Sequence, residues 1–230
     1  IPSLFRLIIQ FVGTGLMFYQ WQLFAMSWYV WVGALVVCTG IINAYNFMDG
    51  INGITGGYSL VIAGALWYVN EKIVSFADEK LIIILILSLL VFNFFNFRKK
   101  AKCFAGDVGA TSVAFILIFL IGQLIIKTGD FSYLILLTVY GVDAVLTIIH
   151  RIRLKEPLME AHRKHMYQIM ANELKIPHIV VSLIYMAVQA VIIGGYFLAS
   201  IHYLYFAVVI VVLMVVYLTF MKKYFHLHKA

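Results

Sequence analysis

The chain has 230 residues, of which 64% are hydrophobic and 12% charged, with a formal net charge of +7 and a mean hydropathy of +1.00. Soluble globular domains hold roughly 45–50% apolar residues, so that balance excludes a water-soluble enzyme or binding module. The polypeptide belongs in a bilayer.

A helix needs about 20 apolar residues to cross a hydrocarbon core of roughly 30 Å. Eight stretches approach that length, near 3–19, 28–47, 54–69, 80–97, 110–127, 131–149, 178–199 and 202–221. Gly56, Gly57 and Gly64 weaken the third, and Asn93 and Asn96 polarise the end of the fourth. A membrane β-barrel would show alternating ten-residue strands, whereas runs such as LIIILILSLLVF are unbroken. The expected fold is all-α: one polytopic membrane domain over 1–230 with about eight transmembrane helices.

Eight crossings place Arg6, Arg98, Lys99, Lys100, Lys102, Arg151, Arg153, Lys155, Arg163, Lys164, Lys175, Lys222, Lys223 and Lys229 on one face and only Lys72, Lys80 and Lys127 opposite. The richer face is expected to be cytoplasmic, with loops near 48–53, 98–109 and 150–177. Anionic lipid accounts for most of this basic surface, and no nucleic-acid partner is expected. Cys38 in a span and Cys103 on a loop suggest neither a disulfide nor a thiolate metal site.

The unusual polar groups follow in chain order. In NAYNFMDGING, Asn43, Asn46, Asp49 and Asn52 recur every three residues, and Gly50 and Gly53 let the helix break beside them. A polar turn with Asn caps is the plain alternative. Yet the polar residues begin inside the apolar run, where desolvated amides are costly unless paired. In FAGDVGAT, Asp107 stands between Gly106 and Gly109 at a helix start, where an acid is often only a cap. Asp49, Asp107 and the Asn side chains are hard oxygen donors of the kind magnesium accepts, with substrate phosphates completing its shell. Zinc would prefer His and Cys. Asp143 lies inside the sixth span and is a functional suspect or a helix-to-helix bond. The third loop then supplies Arg151, Arg153, Lys155, Arg163 and Lys164 with His150, His162 and His165, the last two spaced to share a helical face toward a phosphate. Oxygen ligands, backbone amides near glycines and a basic loop together suit a magnesium-bound diphosphate at the border of lipid and water.

At these residues the chain resembles a known family. NAYNFMDGINGITGG is similar to the N-A-x-N-x-x-D-G signature of the polyprenyl-phosphate N-acetylhexosamine-1-phosphate transferases, and AKCFAGDVGAT to their A-x-x-F-x-G-D-x-G-[ST] signature. HRIRLKEPLMEAHRKHMY stands in the place of their histidine-containing cytoplasmic loop. The resemblance implies transfer of a sugar 1-phosphate from a UDP-sugar to undecaprenyl phosphate, releasing UMP, in cell-envelope polysaccharide biosynthesis at the bacterial inner membrane. Magnesium is the implied cofactor, with manganese as an alternative, and a homodimer is an open alternative because members of the family often pair. By position, Asp107 and Asn46 are the implied metal ligands, and Asp49 a further active-site acid. Asn43, Asn52 and Phe104 are implied to bind substrate, Phe104 by stacking on uracil and Asn52 at its edge. His162 and His165 are implied to hold diphosphate, with Arg151 and Arg153 as further phosphate contacts.

Three departures stand out. The loop's closing pair of histidines reads Tyr167 and Gln168; Arg98, Lys99 and Lys100 replace a proline-containing stretch; and the family's adjacent aspartate pair would fall ahead of IPSLFRLIIQ, so the chain is expected to be incomplete at its N-terminus. Two readings of other classes compete. One is a secondary transporter whose broken segment from Gly50 to Gly57 binds substrate, the other a non-catalytic membrane scaffold.

Overall fold

The computed structural model describes residues 3–157 and 163–227, and side chains from residue 8 onward. Among the described residues eight long helices carry the fold: α1 (Ser3–Gln20), α2 (Trp28–Met48), α3 (Ile54–Lys72), α4 (Glu79–Asn96), α5 (Gly106–Thr128), α6 (Thr138–Arg153), α7 (His178–Leu198) and α8 (His202–Tyr224). No strand occurs among the described residues.

The helices alternate in direction, so the turns collect at two ends. At one end Asn52 donates its amide to the carbonyl of Arg98 at 2.9 Å, and Tyr167 donates its hydroxyl to the carbonyl of Phe47 at 2.8 Å. The turn after α2, the α4–α5 loop and the loop after α6 therefore meet there. At the other end Phe131 N–H donates to the Tyr203 hydroxyl at 3.2 Å, and Asn70 Oδ1 accepts the Phe76 and Ala77 amides at 2.9 and 3.0 Å. We call these the site end and the distal end.

Among the described residues six segments are long and apolar enough to cross a membrane, rather than about eight: α2, α4, α5, Phe131–Arg153 (which includes α6), α7 and His202–Leu227 (which includes α8). The helices α1 and α3 exist but fall short of that apolarity. Gln10, Thr14 and Gln20 dilute α1, while α3 opens on Thr55, Gly56, Gly57, Tyr58 and Ser59 and closes on Asn70, Glu71 and Lys72. Surroundings explain α3: Ile54 to Ser59 are buried without interruption, and the helix packs between α4 and α7. Protein shields it, so its sequence is not required to match lipid.

The core beneath the site end is rich in tyrosine. The Tyr58 and Tyr140 rings stack with centroids 3.7 Å apart. Tyr58 donates to Gln189 Oε1 at 2.7 Å, Gln189 Nε2 donates to the Ile135 carbonyl at 3.0 Å, and Tyr140 donates to the Ile54 carbonyl at 2.9 Å. Each buried polar atom in this chain of bonds has a partner, which ties α3, α6 and α7 into one block.

Candidate active site

The break after α2 begins at Asp49, whose ψ of 64° no longer continues the helix, and ends at Gly53 with φ +84°. A side chain at Gly53 would be strained by that φ, and its Cβ would lie 2.3 Å from the Phe97 ring. The amide of Gly53 donates to Asn96 Oδ1 at 2.7 Å, and Asn96 Nδ2 donates to the Cys103 carbonyl at 2.7 Å. One buried asparagine thus stitches the break to the loop that carries Phe104 and Asp107. Asn52 adds a second seam. Its Nδ2 donates to the Arg98 and Lys99 carbonyls, its N–H to His178 Nδ1 at 3.5 Å, and its carbonyl accepts from Ser182 at 2.8 Å.

These seams bring two carboxylates together. Asp49 Oδ1 accepts the Thr55 hydroxyl at 2.7 Å, and the Asp49 carboxyl also takes the backbone N–H of Gly106. Burial pushes this carboxyl above the usual aspartate range and the charge of Asp107 pushes the same way, against the bonds from Thr55 and Gly106. Asp107, second residue of α5, is exposed. Asn46 lies one turn before Asp49 on the same face of α2, half-buried, with no side-chain hydrogen bond to the described residues.

This donor set fits a hard dication. A buried carboxylate whose ionised form is disfavoured gains from a positive charge beside it. Among the described residues no three His, Cys, Asp or Glu side chains group as a metal cage. Magnesium is suited to such a sparse set, because it keeps waters and takes substrate phosphates.

The remaining sequence candidates separate. Asn43 donates to the Thr39 carbonyl one turn back along α2 at 2.9 Å. Phe104 is 73% exposed, on the rim of a cavity of about 390 Å³ between α3, α4 and α5 that Thr55, Gly56, Phe92 and Gly109 also line. Arg153 is exposed, whereas Arg151 is 2% exposed and holds its own loop, donating to Glu156 Oε2 at 3.4 Å and to the Pro157 carbonyl. His165 is 1% exposed and turns Nδ1 toward Asp143 Oδ1 at 3.3 Å. The structure therefore brings His165 to Asp143 and not to the surface as a phosphate donor. His162 lies outside the described residues.

Asp143 is resolved as an anchor. Buried within α6, it accepts the Met166 N–H at 3.0 Å, the Tyr185 hydroxyl at 2.7 Å and the Thr147 hydroxyl at 3.2 Å besides facing His165. Asn96 and Tyr167 were not singled out by sequence as parts of the site. Asn96 had a usable signal, since a helix that ends on a fully apolar run seldom keeps an amide there unless it is paired. Tyr167 stood out only as a departure from the loop's closing histidines, which gave no sign of its partner.

Comparison with known proteins bears on the same residues. The sequence model of glycosyl transferase family 4 matches residues 2–125, just over half of the chain and both loops that form the carboxylate pair. A probable undecaprenyl-phosphate N-acetylglucosaminyl 1-phosphate transferase of Bacillus subtilis is 28% identical over 69% of this chain and 47% of its own length. A phospho-N-acetylmuramoyl-pentapeptide-transferase of Thermotoga petrophila is 29% identical over 65% of this chain and 47% of its own. A putative UDP-N-acetylglucosamine–dolichyl-phosphate N-acetylglucosaminephosphotransferase of Sulfolobus acidocaldarius is 33% identical over 40% of this chain. The chain spans about half the length of the first two of these relatives.

Proposed function

Because the chain belongs to glycosyl transferase family 4, we propose that it forms the catalytic core of a membrane enzyme that moves a sugar 1-phosphate from a UDP-sugar to undecaprenyl phosphate. An oxygen of the lipid phosphate attacks the β-phosphorus, the bond from that phosphorus to the bridging oxygen breaks, and UMP leaves. An N-acetylhexosamine is the proposed sugar and cell-envelope polysaccharide the proposed destination, in keeping with what the relatives are named for. The site end faces the cytoplasm of a bacterial inner membrane in this reading, supported by the cations of the two loops that flank it.

The observation that carries the proposal is the meeting of Asp49 with Gly106 and Asp107 across the Asn96 seam. Phosphoryl transfer needs alignment and charge neutralisation more than covalent help. Asp107 and Asp49, with Asn46 one turn before Asp49, would hold a magnesium ion that neutralises the diphosphate when bound. Phe104 offers an open ring for the uracil base, and Arg153 an exposed cation for phosphate. Asn52 keeps Oδ1 for the base while its amide nitrogen holds the neighbouring loop.

The complete protein in membranes is expected to release UMP from a UDP-N-acetylhexosamine only when undecaprenyl phosphate and magnesium are both present. Asp107→Asn is expected to lower that rate by roughly 100-fold or more while the protein still inserts. Undiminished release by the variant would overturn the assignment of the metal site.

A further inference from the structure

Tyr167 is fully buried, yet it belongs to a short helical turn, Met166–Gln168, and not to one of the long helices. Its hydroxyl donates to the carbonyl of Phe47 at 2.8 Å. Phe47 stands in the last turn of α2, where carbonyls have no partner within the helix. The same hydroxyl lies over Gly50, so closely that a Cβ there would be 2.2 Å from it. Gly50 does not need a positive φ, so the absence of a side chain at that position serves this approach and not a turn.

The loop has something to push against. His165 and Met166 are held by Asp143, a carboxylate that α6 buries and that Tyr185 of α7 also grips. The turn from His165 to Gln168 is closed on itself, the Gln168 side chain accepting the His165 N–H at 3.2 Å. A rigid turn, fixed to α6 and α7 at one side, therefore presents a single hydroxyl to the broken end of α2 at the other.

We propose that Tyr167 is a positioning residue: by capping the last turn of α2 it fixes where Asn46 and Asp49 stand. Asn46 precedes the capped carbonyl by one residue and Asp49 follows it by two. If the last turn frays, both donors lose their place although neither touches Tyr167 through its own hydrogen bonds. The structural half of this inference stands on the geometry alone, and its consequence for metal use rests on the transferase reading.

Two substitutions approach the contact from opposite sides. Tyr167→Phe removes the hydroxyl and keeps the ring; Gly50→Ala drives a methyl into the hydroxyl. In the full chain reconstituted in nanodiscs, hydrogen exchange of the amides between residues 47 and 53 is expected to speed up about five-fold in Tyr167→Phe, the factor one hydrogen bond of ordinary net strength is worth. Exchange at 130–133 stays unchanged. Gly50→Ala is expected to speed exchange further in the wild-type background and to do less in the Tyr167→Phe background, because the atom it strikes at 2.2 Å is gone and only ring carbons at 3.0 and 3.1 Å remain. Unchanged exchange in Tyr167→Phe, or equal effects of Gly50→Ala in both backgrounds, would overturn the cap.

The functional arm uses the complete protein and UMP release. Tyr167→Phe is expected to raise the magnesium concentration for half-maximal rate about five-fold, with a smaller change in the rate at saturating magnesium. Faster exchange with an unaltered magnesium requirement would overturn the positioning role. Absence of any UMP release from the wild-type protein would instead strike the transferase reading and leave the exchange result to judge the cap.

Discussion

The two ends of the bundle use the same residue types to opposite effect. At the distal end Asp130 accepts the Ser132 N–H at 2.8 Å and lies 3.7 Å from His202, while Ser132 and Tyr196 share a bond of 2.7 Å. Burial works to raise the Asp130 carboxyl, but its bonds from Ser132 and Tyr203 and the nearby His202 outweigh that and hold it below the usual range. At the site end burial and a neighbouring carboxylate hold Asp49 above it. One aspartate is satisfied by its turn; the other is left in want of a positive charge. Polarity at a helix end therefore does not by itself mark a site; a buried carboxylate held above its usual range, with a second acid near it, makes a candidate for one.

The contrast is broken hardest by neutralising each acid in turn. A folded-state carboxyl raised above its unfolded value makes the ionised form a cost to the fold at neutral pH, present above the folded pKa and absent below the unfolded one. Asp49→Asn keeps one acceptor oxygen, for Thr55, and removes that cost, which is set against a weaker hold on the Gly106 N–H. The variant is expected to melt at a higher temperature than wild type while UMP release by the complete protein falls roughly 100-fold. A lower melting temperature would mean that Asp49 is a structural cap like Asp130.

The Asn96 seam tests how much of the junction between the two loops rests on it rather than on Asn52. Asn96→Leu leaves the Gly53 N–H and the Cys103 carbonyl without partners, at a cost of roughly 2–4 kcal/mol in thermal or denaturant unfolding. The sequence made the three loops and their common end legible, because charge asymmetry and apolar length are one-dimensional signals. The pairing of Asp49 with Asp107 was anticipated only as convergence of two glycine-flanked acids. What stayed hidden was direction. Arg151 and His165 are the residue types that bind phosphate, yet burial turned both inward, one to Glu156 and one to Asp143. Two of eight expected spans also went beyond what apolarity supports, since a helix sheathed by its neighbours, as α3 is, follows packing rather than lipid. Tyr167, by sequence a departure from the loop's closing histidines, gained a role only when Phe47 and Gly50 were seen beneath it.

At the distal end the expected effect is smaller and of the other sign. Asp130 is held below its unfolded pKa, so its ionised form adds stability above that value, which is lost as pH falls through the folded one. Asp130→Asn is expected to lower stability by no more than about 1 kcal/mol, because the pair with His202 is partly in solvent. UMP release is expected to stay at the wild-type rate. A loss of activity comparable to that of Asp49→Asn would erase the distinction between the ends.

The smallest effect belongs to a group at the site end that behaves as the distal end does. Glu156 binds Lys164 and Arg151, and the hydrogen bond from Lys164, against a slight opposing burial, holds its carboxyl below the usual glutamate range. Its contribution is therefore present at neutral pH and fades as pH falls through that lowered value, below the unfolded pKa of about 4.3. The carboxylate is a quarter exposed, so Glu156→Gln is expected to cost less than about 1 kcal/mol at pH 7. The difference in melting temperature between wild type and Glu156→Gln should close as the pH is lowered past the carboxylate range. A difference that persisted there would mean that Glu156 holds the loop through uncharged bonds. If it closes, the loop is secured by ion pairs on its outer side and by Asp143 within. The dividing line then runs between acids held below their usual range and the one held above it, whichever end of the bundle they occupy.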